Sequence, residues 1–224
     1  MFDFETANKA QKDAITTTEG PVLITAGPGT GKTFTLVKRA IYLIKECGVS
    51  PESIFIATFT EKAAKELITR ITNELAKENL SANINEMYVG TFHSLCLRII
   101  KENLEYTQLK RNYRILDDFD QKYTIFQNIY RFNKHPEIED VLQNQGTWRR
   151  SCEIADYVNN LSEELVNLEE LIEDENPKIS ALGMILDIYR DILDENNLMD
   201  FASIQTQAYY LLKNNPNVLK ELTD

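Results

Sequence analysis

The run Ala26-Gly27-Pro28-Gly29-Thr30-Gly31-Lys32-Thr33 sets the first condition on how this chain can fold. It puts three of the chain's eight glycines within five residues and follows them with a lysine and a hydroxyl. Glycines at alternate positions let backbone N–H groups converge on one point, and a helix starting there adds partial positive charge. Lys32 can then reach the β- and γ-phosphates of a nucleotide, and the Thr33 hydroxyl can ligate Mg²⁺. The usual pattern, G-x-x-x-x-G-K-[ST], starts with glycine where this chain has Ala26. The physics survives that change, because Gly29 and Gly31 supply the freedom the cradle needs. Such a loop works between a strand and a helix. Residues 21–26 ("PVLITA") read as a short buried strand. After Lys32, Leu36, Val37, Ala40, Ile41 and Ile44 recur at helical spacing, and Gly48 supplies a stop.

The same alternation continues downstream. Residues 53–60 ("SIFIATFT") are dense in β-branched and aromatic residues and predict a second strand. Thr60 stands where an N-cap belongs, with Glu61 in the first turn of the helix that follows. "MYVGTFHSL" repeats the arrangement: a short strand, a turn at Gly90 and a helix from about Ser94. Strands alternating with helices predict an α/β fold with a parallel sheet and helices on its faces. Beyond about residue 104 the patterns become helical and acidic, apart from a candidate short strand at 113–117 ("YRILD"). The reading is a P-loop NTPase sheet flanked by helices, with an inserted, mostly α-helical subdomain. Its bounds are 1–108 for the first segment of the nucleotide-binding subdomain, 109–192 for the insertion and 193–224 for the return.

Composition removes several classes. Hydrophobic residues make up 43% of the 224 and charged ones 26%, which is ordinary for a soluble globular chain. No run approaches the roughly 20 apolar residues of a membrane span, and the N-terminus has no secretory pattern. Cys47, Cys96 and Cys152 are scattered, which fits reduced thiols in a cytoplasm and implies no metal site. The net charge of −11 is unevenly placed. Residues 1–101 carry a net +1 and residues 102–224 a net −12, so the second half offers no broad basic surface.

Hydrolysis in such folds also needs an acidic residue at the end of a hydrophobic strand. "RILDD", "DILDE" and "LIED" end in acid, but the last two lie in helical patterns. Asp117 or Asp118 is the candidate that remains. The segment 123–132 ("YTIFQNIYRF") has amphipathic-helical spacing and reads as core. "WRR" at 148–150 is a candidate contact for duplex DNA.

Taken in order, the segments resemble a family, the superfamily 1 DNA helicases of the UvrD/Rep/PcrA type. "ANKAQKDAI" is similar to that family's glutamine motif, which implies that Gln11 reads an adenine edge. "AGPGTGKT" resembles its phosphate loop, which commonly begins with alanine. The resemblance therefore implies a nucleotide site of Gln11, Ala26, Gly27, Pro28, Gly29, Thr30, Gly31, Lys32, Thr33 and Phe34, with Lys32 and Thr33 serving catalysis. Phe34 stands where UvrD-type proteins usually carry an arginine stacked on adenine, and "GTGKTFT" looks more like the RecB/AddA branch. "ATFTEKAAKEL" and "VGTFHSL" resemble the DNA-contact motifs, which implies Thr58, Phe59, Thr60, Thr91, Phe92 and His93 beside single-stranded DNA. Read as residues rather than as motifs, Phe92 is a core candidate. "LMDFASI" is similar to the segment that returns the chain to the first domain.

The resemblance implies ATP and Mg²⁺ as ligands, and single-stranded DNA and a duplex junction as partners. It also implies further helicase domains, with the strand ending in Asp-Glu, C-terminal to residue 224. Two other readings stay open. One is a stand-alone P-loop switch or regulatory module without rapid hydrolysis. The other is a small complete P-loop enzyme that uses Asp117 or Asp118.

Overall fold

A computed structural model describes residues 4, 6–80, 83–142 and 146–223. The chain divides into two compact units, residues 1–95 with 221–224, and residues 96–220. The described residues are mixed α/β, mostly helical, with two small parallel sheets.

The first unit begins with α1 (Lys9–Thr16), held at its start by a capping box. The Asn8 side chain accepts from the Gln11 backbone N–H at 2.9 Å, and the Gln11 side chain accepts from the Asn8 N–H at 2.9 Å. The phosphate-loop helix, α2 (Lys32–Lys45), packs between α1 and α3 (Glu61–Lys77). Strand β1 (Phe55–Thr58) and β2 (Tyr88–Thr91) pair in parallel, Phe55 opposite Tyr88 through to Thr58 opposite Thr91. Helix α3 makes the crossover, as a parallel pair requires. Thr60 caps α3, its hydroxyl accepting from the Ala63 N–H at 3.2 Å. Ile41, Ile56, Leu67, Ile71 and Met87 form the buried centre of this unit.

Residues 21–26 form no strand, and no backbone hydrogen bond joins them to another segment among the described residues. Leu23 is 93% exposed, and Val22 and Ile24 are exposed beside it. The composition is right for a buried strand, but a strand exists only where a neighbour takes its N–H and C=O groups. Among the described residues, β1 pairs with β2, and the remaining parallel pair, Arg114–Ile115 with Leu198–Met199, lies in the second unit. Unpaired apolar backbone of this kind is a template for association. The chain is expected to self-associate as concentration rises, and Leu23→Lys to suppress this. Sedimentation velocity over a wide concentration range tests it: a wild-type chain that stays monomeric throughout contradicts the expectation.

The second unit centres on α10 (Pro177–Glu195), whose Ile185, Leu186, Tyr189 and Ile192 are almost fully buried. Around it lie α5 (Asp118–Gln127), α6 (Ile129–Phe132), α7 (Pro136–Val141), α8 (Thr147–Glu163) and α9 (Leu168–Ile172). Gly183 permits the close approach of α9 to α10. A Cβ there would sit 2.8 Å from the Ile172 backbone nitrogen and 2.9 Å from Leu171 Cβ. The candidate strand at 113–117 shortens to β3 (Arg114–Ile115), which pairs in parallel with β4 (Leu198–Met199). Its partner lies in "NNLMDF", which reads from sequence as a turn between helices.

Helix α11 (Phe201–Asn214) starts at Asp200, which forms a capping box with Ser203. Asp200 is also buried and accepts from Tyr189 Oη and, at 3.0 Å, from Gln121 Nε2. Burial first, and the Asp200 carboxylate second, push the Tyr189 hydroxyl far above its ordinary pKa. The segment 123–132 also departs from its sequence reading. Ile125 and Phe132 are buried, but Tyr123, Phe126 and Tyr130 are exposed. The helical period is right; the aromatic stripe faces outward.

Candidate functional site

The loop before α2 is shaped by two left-handed glycines, Gly29 at φ +74° and Gly31 at φ +85°. At Gly31 the requirement is double, since a Cβ would also meet Gln11 Nε2 at 2.8 Å. Gln11 donates from that nitrogen to the Thr30 carbonyl at 3.1 Å, so the start of α1 is tied to the loop. Thr30 folds back on the loop, its hydroxyl donating to the Gly27 carbonyl at 2.8 Å.

Lys32 is exposed and donates to the carbonyls of Ala26 (3.2 Å) and Gly27 (2.8 Å). The ammonium is thus held within the loop by neutral acceptors, which a phosphate oxygen can replace with a stronger, charged one. The Thr33 hydroxyl has no hydrogen-bond partner among the described residues. No cluster of three or more His, Cys, Asp or Glu suited to a metal occurs among those residues. The donor set therefore fits a cation brought with a nucleotide and touched by one hydroxyl. It does not fit a carboxylate cage.

Phe34 lies next to Gly31 and lines a cleft of about 170 Å³ between α2 and α3, with Lys38, Arg70, Asn73, Glu74 and Lys77. Lys38 and Lys77 pair with the two oxygens of Glu74 at 2.8 and 2.7 Å. Burial draws the Glu74 carboxyl upward, but hydrogen bonds from Lys38 and Lys77 outweigh it and hold the group below its ordinary value. Sequence reasoning passes over this wall. The i, i+3, i+4, i+7 spacing of Arg70, Asn73, Glu74 and Lys77 says that they share a face, but not what the face meets.

The strand-end residues come together. Thr58 and Thr91 are opposite each other at the carboxyl ends of β1 and β2. The Thr58 hydroxyl is 3.1 Å from the Thr60 carbonyl and 3.3 Å from that of Gly90. The Thr91 hydroxyl donates to Glu61 at 3.2 Å and accepts from the Ser94 N–H at 3.2 Å. Phe59 is fully exposed and Phe92 is exposed, which corrects the core reading of Phe92. His93 is half-buried on α4 (Phe92–Glu102). This edge thus carries two unburied aromatic rings and a row of hydroxyls.

Asp117 and Asp118 lie elsewhere, in the second unit. The Asp117 carboxylate caps α5, accepting from the Asp120 N–H at 2.7 Å, and Asp118 pairs with Lys122 at 2.8 Å. Cys47, Cys96 and Cys152 are all free thiols. Among the described residues no helix is long and apolar enough to cross a membrane.

With this geometry in hand, comparison with known proteins is specific. A family profile described as the UvrD/REP helicase N-terminal domain matches residues 7–224. The ATP-dependent DNA helicase PcrA of Staphylococcus epidermidis is 32% identical over 217 residues, covering 95% of this chain and 27% of that protein. The ATP-dependent DNA helicase Rep of Buchnera aphidicola is 31% identical over 209 residues, covering 93% of this chain and 28% of that protein. PcrA of Staphylococcus aureus is 30% identical over 217 residues. The chain spans little more than a quarter of the length of these curated relatives. A phosphate loop, a glutamine tied to it and two aromatic strand ends in one α/β unit agree with that match, and the chain belongs to the UvrD/REP helicase N-terminal domain family.

Proposed function

We propose that this chain is the part of an ATP-dependent DNA helicase that holds ATP with Mg²⁺ and grips single-stranded DNA near a duplex junction. The observation that carries the reading is the pairing of β1 with β2. It sets the strand ends that lead to Phe59 and to Phe92, the first residue of α4, side by side, in the same unit as the phosphate loop.

In this reading the loop N–H groups and Lys32 bind the phosphates, and Thr33 faces the cation that accompanies them. The cation supplies neutralisation of phosphate charge; everything else is binding and positioning by the chain. Gln11 exchanges its bond to the Thr30 carbonyl for the adenine edge, which makes the α1–loop contact sensitive to nucleotide. Phe34 offers a ring face to the base; Arg70, across the cleft, is paired with Glu66 at 2.6 Å and would supply positive charge by exchanging that partner. Thr58, Thr60, Thr91 and His93 contact the DNA backbone, while Phe59 and Phe92 stack on bases. Stacking suits a motor, because every base has a π-face and the grip is independent of sequence. The setting proposed is cytoplasmic, in keeping with three free thiols.

Phe59→Ala is expected to weaken binding of labelled oligothymidine by about 1–3 kcal/mol, the worth of one stacked base. Because Phe59 is fully exposed, thermal stability should not change. Fluorescence anisotropy measures the effect, with Glu170→Ala as a distant control. Unchanged affinity for Phe59→Ala, in a protein that does bind the oligonucleotide, removes Phe59 from the DNA grip.

A further inference from the structure

The outward aromatic stripe of α5 is continuous with the first turn of α8. Phe119, Tyr123 and Phe126 recur at i, i+4 and i+7, and Trp148 closes on them from the side. Ring centroids are 6.1 Å apart for Phe119–Tyr123 and 6.3 Å for Tyr123–Phe126. Trp148 is 5.8 Å from both Phe119 and Phe126. The four side chains are between 37 and 62% exposed. Fully buried aromatics cover about 150–250 Å² each, so the face presents roughly 300–400 Å² of ring surface. That is the size at which an exposed apolar patch marks an interaction site.

Local charge decides what the face suits. Asp118 and Asp156 are exposed at its edge, with Asp120 half-buried beside them. Lys122 is already paired with Asp118 and lies in the field of Asp156. Arg150 has Nε and Nη2 buried, without hydrogen-bond partners among the described residues, so it is not presented outward. Arg149 is the exposed cation that remains, in a half of the chain whose net charge is −12. A polyanion gains its affinity from many released counterions, and this face cannot supply them. The duplex-DNA reading of residues 148–150 is therefore disfavoured. Cations over aromatic rings are, in contrast, already a feature of this unit: Lys134 lies 5.6 Å over Tyr130, and Lys213 lies 5.5 Å over Tyr209.

We propose that the Phe119–Tyr123–Phe126–Trp148 face docks a basic amphipathic helix of a protein partner. Aliphatic residues of that helix pack on the rings, and its lysines or arginines reach the ring faces and the carboxylates of Asp118, Asp120 and Asp156. The area is about half of one partner's share in a standard interface, so the contact is transient.

Trp148 is the chain's one tryptophan and reports on the face directly. The probe is a synthetic helical peptide with a leucine face and lysine flanks, titrated against the full 224-residue chain. The expected result is a saturable shift in Trp148 emission. Phe119→Lys or Tyr123→Lys should weaken it about tenfold or more, with far-UV circular dichroism unchanged. A peptide carrying glutamate in place of lysine should fail to bind, a comparison that needs no variant to fold. The proposal is overturned if both peptides bind alike, or if the two substitutions leave the titration unchanged. It is also overturned if a duplex oligonucleotide saturates the signal at lower concentration. Emission that shifts with protein concentration alone in the Leu23→Lys chain, in which association through residues 21–26 is suppressed, would assign the face to a second copy and likewise overturn it.

Discussion

Lys32→Ala is expected to reduce affinity for a fluorescent ATP analogue by about 10- to 150-fold. That factor corresponds to about 1.5–3 kcal/mol, the range for a hydrogen bond to a charged group. The side chain is exposed and its bonds go to two loop carbonyls, so thermal unfolding should barely move. Lys32→Arg separates charge from shape. The guanidinium keeps the charge but not the compact ammonium that fits between the Ala26 and Gly27 carbonyls, so recovery should be partial. Equal affinities for folded wild type and Lys32→Ala would mean that the loop is not the nucleotide site, and the proposed function would lose its first support.

The second large effect concerns stability. Asp200→Ala is expected to destabilise the second unit by about 2–4 kcal/mol. One part is the lost cap of α11, typically about 1 kcal/mol. The other is the desolvation left behind at the Tyr189 hydroxyl, about 1–3 kcal/mol for a buried donor without its acceptor, whereas Gln121 Nε2 keeps its bond to Asn159 Oδ1 at 2.7 Å. Both donors point at the same carboxylate oxygen, so their loss is coupled rather than additive. Ser203→Ala, which removes one side of the capping box alone, should cost about 1 kcal/mol or less. Urea titration followed by Trp148 fluorescence reads the unit in question, since Trp148 lies within it. An Asp200→Ala midpoint close to wild type would show that the buried network contributes little.

Much of the glycine loop and its flanking helices is legible in the sequence because it is local. The positive φ of Gly29 and Gly31, the start of α2 at Lys32 and the Thr60 cap of α3 depend on residues within a few positions of one another. The pairing of Phe59 and Phe92 at one edge followed from two strand–turn–helix patterns of the same sense. The Arg70 wall was not legible, because it depends on how α3 packs against α2.

The helices at 32–45 and 61–77 are legible in the sequence because a helix satisfies its own backbone and carries its caps with it, whereas α4 starts at Phe92 and not near Ser94, with Gly90 inside β2. Residues 21–26 have the composition of a strand and are none, because the groups that would take their hydrogen bonds must come from another segment. For the same reason residues 198–199 lie in a segment with the composition of a turn and become strand β4 only through pairing with β3. The aromatic stripe on α5 shows the complementary limit. Spacing states which residues share a face of a helix, but packing alone decides whether that face meets the core or solvent. Here Gln121, Thr124 and Ile125 turn inward, and the rings are left outside.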